Sequence, residues 1–500
     1  MHFIHRKKRI VLCLISLILL LGNFSSHVLT VHATYEELIE EAEERKSLPV
    51  QSNEITNWPR GPRISAESAI LMDVNTGVIL YAKNIHEKCY PASITKVLTC
   101  LLAMEHGDLD DMVSFSHEAV FSVPGDGSNM GMDVGESITL EQSLYGILVG
   151  SANEVANAVG EYVGGTIDDF VTMMNERATE LGCTDSHFAN TNGLFDENHY
   201  TSAYDLALIS SQFFQNEMLC KISDTPRYHF EPTSTQPDDF YLINKHQLIN
   251  GEIAYDGIVG GKTGFTSESR QTLITCAEKS GMKLVCVVFK EESPAQFTDT
   301  VALFDYGFQN FQVLNISENE EKYNIDNANF FQSDNDIFGS SKPILSIDEE
   351  SYVIVPNMAD FSDLSASIRY DVDEGNHVAE ISYSYNDTYV GKAYVNLAEE
   401  ALATYDFVSE PVHAPAESTI TPDRLSAITI DTSPDQENTI FINVKRVLIG
   451  VLILAAIIIL LFIVRAVIIN HTTSRRRRNH VHRKKRRRER LRSNFDDFDF

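Results

Sequence analysis

A serine hydroxyl is a poor nucleophile until a neighbouring base takes its proton. The segment Pro91-Ala92-Ser93-Ile94-Thr95-Lys96 offers such a pair, with a serine at a predicted helix start and a lysine three residues on. A spacing of i, i+3 stacks the two side chains on one helix face. The lysine serves as a base only where desolvation or a nearby positive charge depresses its pKa. Amides at a helix N-terminus would also favour negative charge developing at that point. Two more motifs follow along the chain, Ser151-Ala152-Asn153 and Lys262-Thr263-Gly264. None decides anything alone. Ser280-Gly281-Met282-Lys283 repeats the first; Ser333-Asp334-Asn335 and Ser384-Tyr385-Asn386 repeat the second; Lys279-Ser280-Gly281 nearly repeats the third. Context separates them, because Ser280 falls in a predicted hairpin turn with no helix to align its side chain with that of Lys283.

The elements that must position these residues read as follows. Ala69–Asp73 and Val78–Ala82 are apolar strands around Asn75-Thr76-Gly77, a hairpin signal. Helical apolar spacing runs from Ser93 to Met104, and a mostly helical region follows, including Leu140–Val163 and Asp168–Leu181. Thr272–Ala277 and Lys283–Phe289 are β-branched runs flanking a Gly-containing turn, a second hairpin, and a helix over 297–307 closes the unit. Strands early and late with helices between predict one mixed α/β domain whose antiparallel sheet is drawn from both ends of the sequence.

The order Ser93/Lys96, then Ser151/Asn153, then Lys262-Thr263-Gly264 is that of serine β-lactamases and penicillin-binding proteins. The surrounding sequence is denser still in likeness. PASITKVLT, LYGILVGSANEVANAV, FVTMMNERATELG, HFANTNGL, HYTSAYDLALIS, GIVGGKTGFTSES and LFDYGF resemble the D-alanyl-D-alanine carboxypeptidases among low-molecular-weight penicillin-binding proteins, over about residues 60–311. The resemblance implies a β-lactamase/transpeptidase-like fold with a helical subdomain. It implies that Ser93 attacks the penultimate D-Ala carbonyl of the peptidoglycan stem to give an acyl-enzyme, with Lys96 as base and Ser151 as proton relay. Asn153 would bind the substrate amide. Lys262 would hold Ser151 and attract the terminal carboxylate, which Thr263 would also bind. Gly264 would let the substrate backbone approach a bare strand edge, and the amides of Ser93 and Phe265 would form an oxyanion hole. No cofactor or metal is implied, and β-lactams would be inhibitors. One departure stands out. Family members often carry an arginine before the Phe of a stretch like Phe297-Thr298-Asp299-Thr300, where it helps bind the terminal carboxylate; this chain has Gln296, with Lys290 as a candidate substitute.

The 500 residues are 43% hydrophobic and 22% charged, enough for two or three folded units. The net charge of −31 hides a segregation: 12 of the 40 basic residues lie between Arg475 and Arg492. An acidic body does not bind nucleic acid by neutralising phosphates. Residues 1–33 read as a signal peptide, with a basic start, an apolar run Ile10–Leu21 and cleavage after Ala33. A helix and entry loop (34–59) precede the penicillin-binding domain (60–311). Short alternating segments then predict a β-rich domain (312–403), followed by a Pro/Ser/Thr/Asp stalk (404–444). Residues 445–469 are apolar enough to span a bilayer. The basic tail, 470–500, lies where positive charge is retained, so the catalytic domain is expected outside the cell membrane and the tail in the cytoplasm against anionic lipid.

Other residues have quieter readings. Trp58 is expected to anchor the entry loop. His187, His199 and His246 are too dispersed for a metal site and read as loop or capping residues, Tyr204-Asp205 is expected to support the helices, and several of the mature chain's cysteines, in apolar contexts, are expected to be buried thiols. Three other functions compete. A β-lactamase of class A would need a Glu-x-x-Leu-Asn segment, which does not occur between Asn153 and Lys262. A membrane-anchored β-lactam sensor would need an effector domain that the short tail lacks. D,D-endopeptidase action on cross-linked peptidoglycan is a variant that the sequence leaves open.

Overall fold

The computed structural model describes residues 35–124, 127–320, 345–370, 372 and 377–397. The chain divides into two compact units, Met1–Val408 and Ser409–Phe500, and the described residues all lie in the first. The expected signal peptide, stalk, membrane span and basic tail fall outside them. No helix among the described residues is long and apolar enough to cross a membrane.

A five-stranded antiparallel sheet carries the site. It is built from β1 (Ser68–Asp73) and β2 (Ile79–Lys83), then β5 (Ile258–Thr266), β6 (Arg270–Lys279) and β7 (Met282–Glu291), in the order β2-β1-β7-β6-β5. The closing pair β1/β7 joins the two ends of the sequence, Ile70 opposite Val287 and Leu71 opposite Cys286. Alternate residues feed two cores. Ile70 and Met72 of β1, with Val285 and Val287 of β7, pack toward the helical region; Ala69, Leu71, Leu284 and Val288 pack toward the opposite face. A strand apolar on both faces reads as a continuous run, which is why these segments show so little alternation.

On the first face lie α2 (Lys96–His106), α3 (Leu140–Leu148), α4 (Asn153–Gly164), α5 (Ile167–Glu180) and α6 (Ala203–Phe214), after the N-terminal α1 (Tyr35–Arg45). α3 starts at a capping box, Thr139 with Gln142. A short hairpin, β3 (Arg227–Phe230) with β4 (Phe240–Ile243), stands beside this layer. On the second face lies α7 (Ala295–Asn310), which runs directly into β8 (Phe311–Asn315). Strand β8 begins a second sheet with β9 (Leu345–Ile347), β10 (Tyr352–Pro356), β11 (Ser365–Arg369), β12 (His377–Tyr385) and β13 (Thr388–Leu397), ordered β8-β10-β13-β12-β11 with β9 beside β13. The sheets are tied by polar contacts: Tyr352 Oη donates to Asp73 Oδ1 (3.1 Å), and Asn386 Nδ2 donates to the Thr56 carbonyl (2.9 Å). Trp58 anchors the entry loop as expected, with Nε1 donating to Leu80 O and its ring 5.1 Å from that of Phe311.

The helical region Leu140–Val163 is interrupted: α3 ends at Leu148, α4 begins at Asn153, and between them Ser151 has φ of +56°. Both helices pack into one core, and Asn153–Gly160 are buried without a break, so apolar residues continue across the interruption. One expectation needs correction: Ser93 does not start an α-helix. It sits in a 3₁₀ turn, Ala92–Thr95, and the α-helix begins at Lys96.

Candidate active site

The 3₁₀ turn presents Ser93 at the sheet edge, and the turn is held from three sides. Thr272 Oγ1 of β6 donates to Pro91 O (2.8 Å). His199 bridges from the other flank: its Nδ1 accepts from the Ala189 amide (3.0 Å), which leaves Nε2–H to donate to Thr95 Oγ1 (2.8 Å). Burial holds His199 down to about 3, so it is neutral. The third support is the Thr191-Asn192-Gly193 loop. Gly193 has φ of +82°, and a Cβ there would lie 1.7 Å from Ala92 O, so no other residue fits. Ala92 itself has φ of +52° and Ser151 +56°, two strained non-glycine positions flanking the reactive groups.

Lys96 is fully buried. Its Nζ lies 3.0 Å from Ser93 Oγ, 2.7 Å from Asn153 Oδ1 and 2.6 Å from Asn192 O. Desolvation, followed by the charge of Lys262, pushes the Lys96 pKa well below its usual range. A neutral amine has two N–H groups and one lone pair, and the three neighbours match that set. The N–H groups go to the two carbonyl oxygens, and the lone pair is left for the Ser93 hydroxyl proton. Both causes of depression that the sequence argument required are present.

Lys262 projects from the edge strand β5, also buried, with Nζ donating to Ser151 Oγ (3.0 Å) and Thr263 O (2.7 Å). Burial and the charge of Lys245 bring it down to about 7. Ser93 Oγ, Lys96 Nζ and Asn153 Oδ1 therefore form one cluster, and the Lys262–Ser151 pair is close enough for the charge of Lys262 to act on Lys96. Thr263 is half-buried, and Phe265 is 52% exposed at the rim. Gly264 also has a packing reason within the chain. A Cβ there would strike Thr272 Oγ1 at 2.3 Å and crowd the Ser93 amide at 3.0 Å, so the glycine lets the strand close on the serine turn.

Lys290 does not stand in for an arginine at position 296. Its Nζ pairs with Glu67 Oε2 (2.5 Å) beside β1, on the far side of β7 from the edge strand. Gln296 is buried at the start of α7; its Nε2 is 3.5 Å from Gln271 Oε1, and its own Oε1 has no partner. Gln271 pairs in register with Phe265. The nearest guanidinium on that hairpin, Arg270, is held bidentate by Glu292 at 2.9 and 2.6 Å. Sequence reasoning missed Asn192 and Lys245, and it read His199, which holds the serine turn, as a loop or capping residue. Asn192 acts through its carbonyl, which no residue type signals, although Thr-Asn-Gly marks the turn. His246, read as a loop or capping residue, is buried with Nε2 against Thr275 Oγ1 (2.8 Å). The described cysteines are all free thiols.

A family model described as D-alanyl-D-alanine carboxypeptidase matches residues 55–293. D-alanyl-D-alanine carboxypeptidase DacF of Bacillus subtilis (strain 168) is 34% identical over 253 residues, 49% of this chain and 63% of that protein. DacA of Haemophilus influenzae is 30% identical over 268 residues, 51% of this chain and 65% of that protein. DacB2 of Mycobacterium tuberculosis is 30% identical over 256 residues, 50% of this chain and 84% of that protein. The chain thus spans a little under two thirds of the first two relatives. Among solved structures, penicillin binding protein 5 from Haemophilus influenzae superposes with a TM-score of 0.54 at 22% identity, covering 68% of this chain and 98% of that one, a likeness of fold.

Proposed function

The chain belongs to the D-alanyl-D-alanine carboxypeptidase family, and from that premise we propose that it is a serine D,D-carboxypeptidase that removes the terminal D-Ala from peptidoglycan stem peptides through an acyl-enzyme. The observation that carries this reading is Lys96: a buried amine with two oxygens to receive its protons and a serine hydroxyl at 3.0 Å. Lys96 takes the proton as Ser93 Oγ bonds to the penultimate D-Ala carbonyl carbon. The Ser93 and Phe265 amides hold the oxyanion. Breaking the C–N bond requires a proton on the leaving amine, and Ser151, bonded to Lys262, relays it. Water then hydrolyses the ester and frees Ser93. Asn153 holds the substrate amide, while Lys262 and Thr263 meet the terminal carboxylate. β-Lactams inhibit by acylating Ser93.

The location follows from the sequence. Residues 1–33 export the chain, 445–469 anchor it, and the basic tail faces cytoplasmic lipid, leaving the catalytic domain outside.

The test is to incubate the detergent-solubilised full chain with a peptide ending in Lys-D-Ala-D-Ala and to measure D-Ala. Ser93→Ala runs beside it, together with labelling by a fluorescent penicillin. Ser93-dependent D-Ala release is expected. Stable labelling without release refutes the carboxypeptidase reading. A second reading, D,D-endopeptidase action, is favoured by the uncharged Gln296–Gln271 pair, because a cross-linked substrate presents an amide where a free stem presents a carboxylate. Cross-linked dimer and free pentapeptide are therefore compared as substrates.

A further inference from the structure

Asn153 opens α4, and the next residue is an acid. Glu154 is buried; its Oε1 accepts from two consecutive backbone amides, Met130 (2.7 Å) and Gly131 (3.0 Å), while Oε2 is buried with no hydrogen-bond partner among the described residues. Leaving a buried carboxylate oxygen unsatisfied is costly, and burial raises the Glu154 carboxyl above its usual range. The loop it holds leads straight to the site. The Ser128 carbonyl accepts from the Asn153 amide (3.0 Å), and Ser128 Oγ lies 3.4 Å from Lys245 Nζ. A Cβ on Gly127 would come within 2.8 Å of Asn153 Nδ2. Because Asn153 Oδ1 is committed to Lys96, Nδ2 is the half of that amide available to a substrate carbonyl.

We propose that Glu154 is a positioning residue: it clamps loop 127–131 so that Gly127 and Ser128 set the Asn153 amide and Lys245 against the substrate peptide. It acts through the loop and not on the reacting atoms. The proposal rests on the serine-acylation reading above and adds to it the element that shapes the peptide-binding wall.

Three variants separate the clamp from charge and from bulk stability. Glu154→Gln keeps an acceptor for the two amides and loses the charge. Glu154→Asp keeps the charge on a shorter arm. Glu154→Met keeps the length and loses the acceptor. In the full chain, Glu154→Met is expected to raise KM for the peptide about tenfold, the scale of one lost hydrogen bond, with a smaller change in kcat. The amides of 130 and 131 should lose hydrogen-exchange protection while the core amides of α2 keep theirs. Glu154→Gln is expected to stay within about threefold of the parent KM, and Glu154→Asp to fall between the two. The clamp is refuted by an unchanged KM in Glu154→Met, by equal damage in Gln and Met, or by losses that track global exchange. Penicillin acylation rates are measured in parallel. An enzyme that labels without peptide turnover refutes the carboxypeptidase reading, and the same ordering of variants in acylation rate then decides the clamp.

Discussion

The chain contains two Ser-x-x-Lys tetrads, and the fold hydrogen-bonds the lysine to the serine in one of them and sends the lysine elsewhere in the other. Ser93 and Lys96 straddle a 3₁₀ turn and the first residue of a buried helix, with the two polar atoms 3.0 Å apart. Ser280 and Lys283 straddle the β6/β7 hairpin turn, where Ser280 has φ of +53° and Lys283 reaches away to donate to the Phe214 carbonyl at the end of α6 (2.7 Å). The first lysine is stripped of water and set against a second cation; the second caps a helix C-terminus. Residue types and spacing are identical, so they are not what creates the base. Desolvation and the geometry of the turn create it.

The largest test of that contrast is paired substitution of the serines. Ser93→Ala should reduce D-Ala release and penicillin labelling by about a thousandfold or more, as expected for loss of a covalent nucleophile. Ser280→Ala should leave both within about twofold. Equal effects would mean that the nucleophile has been misassigned.

Substituting the lysines comes next. Lys96→Met should slow acylation by about 10²- to 10⁴-fold, the usual worth of a general base. Lys283→Met should leave acylation intact and lower Tm by about 2–4 °C for the lost helix cap. Stopped-flow penicillin acylation and a thermal melt read the two effects separately. A Lys283 variant that slows acylation, or a Lys96 variant that does not, breaks the contrast.

Only part of this contrast was legible in the sequence. Apolar runs on β1, β6 and β7 gave the sheet and its closure, and the order of the three motifs singled out Ser93, Lys96, Ser151 and Lys262, which the fold sets in two hydrogen-bonded pairs. The break between α3 and α4 was hidden, because the residues on both sides of it are buried in one core and the apolar run passes over it. Asn192 and Ser128 were hidden because they act through backbone carbonyls. The packing of Gly264 against the Ser93 turn was hidden, because a glycine marks a close approach without naming what approaches. Lys290 looked available until its partner, Glu67, was known.

Lys262 sharpens the comparison by showing that a reactive lysine costs stability. Its amine is held at about 7 against an ordinary 10.5. Between those values the unfolded chain keeps a proton that the folded chain has released, so this group makes stability rise with pH from about 7 to 10. Lys262→Met should therefore raise Tm at pH 7 by a few degrees, with the gain shrinking as pH approaches 10, while turnover of the peptide falls about a hundredfold or more. Melts at pH 7, 8.5 and 10 check the sign. A Tm gain that grows with pH would contradict the burial argument.

The smallest expected effect concerns Gln296. Lys290 is paired to Glu67 and Arg270 is forked onto Glu292, while the Gln271 side chain meets the neutral amide of Gln296. An amide can donate to a carboxylate, but without the charge assistance that roughly doubles such a bond. Gln296→Arg should therefore lower KM for a peptide ending in a free D-Ala carboxylate by about three- to tenfold. It should leave KM for the same peptide ending in D-Ala-amide unchanged or raised. The buried Gln296 Oε1 has no partner to lose, which lowers the cost of the exchange. Steady-state kinetics on the two peptides give the ratio directly. If both KM values fall together, the guanidinium is acting on the protein and not on the carboxylate, and Gln296 does not set specificity at this end of the cleft.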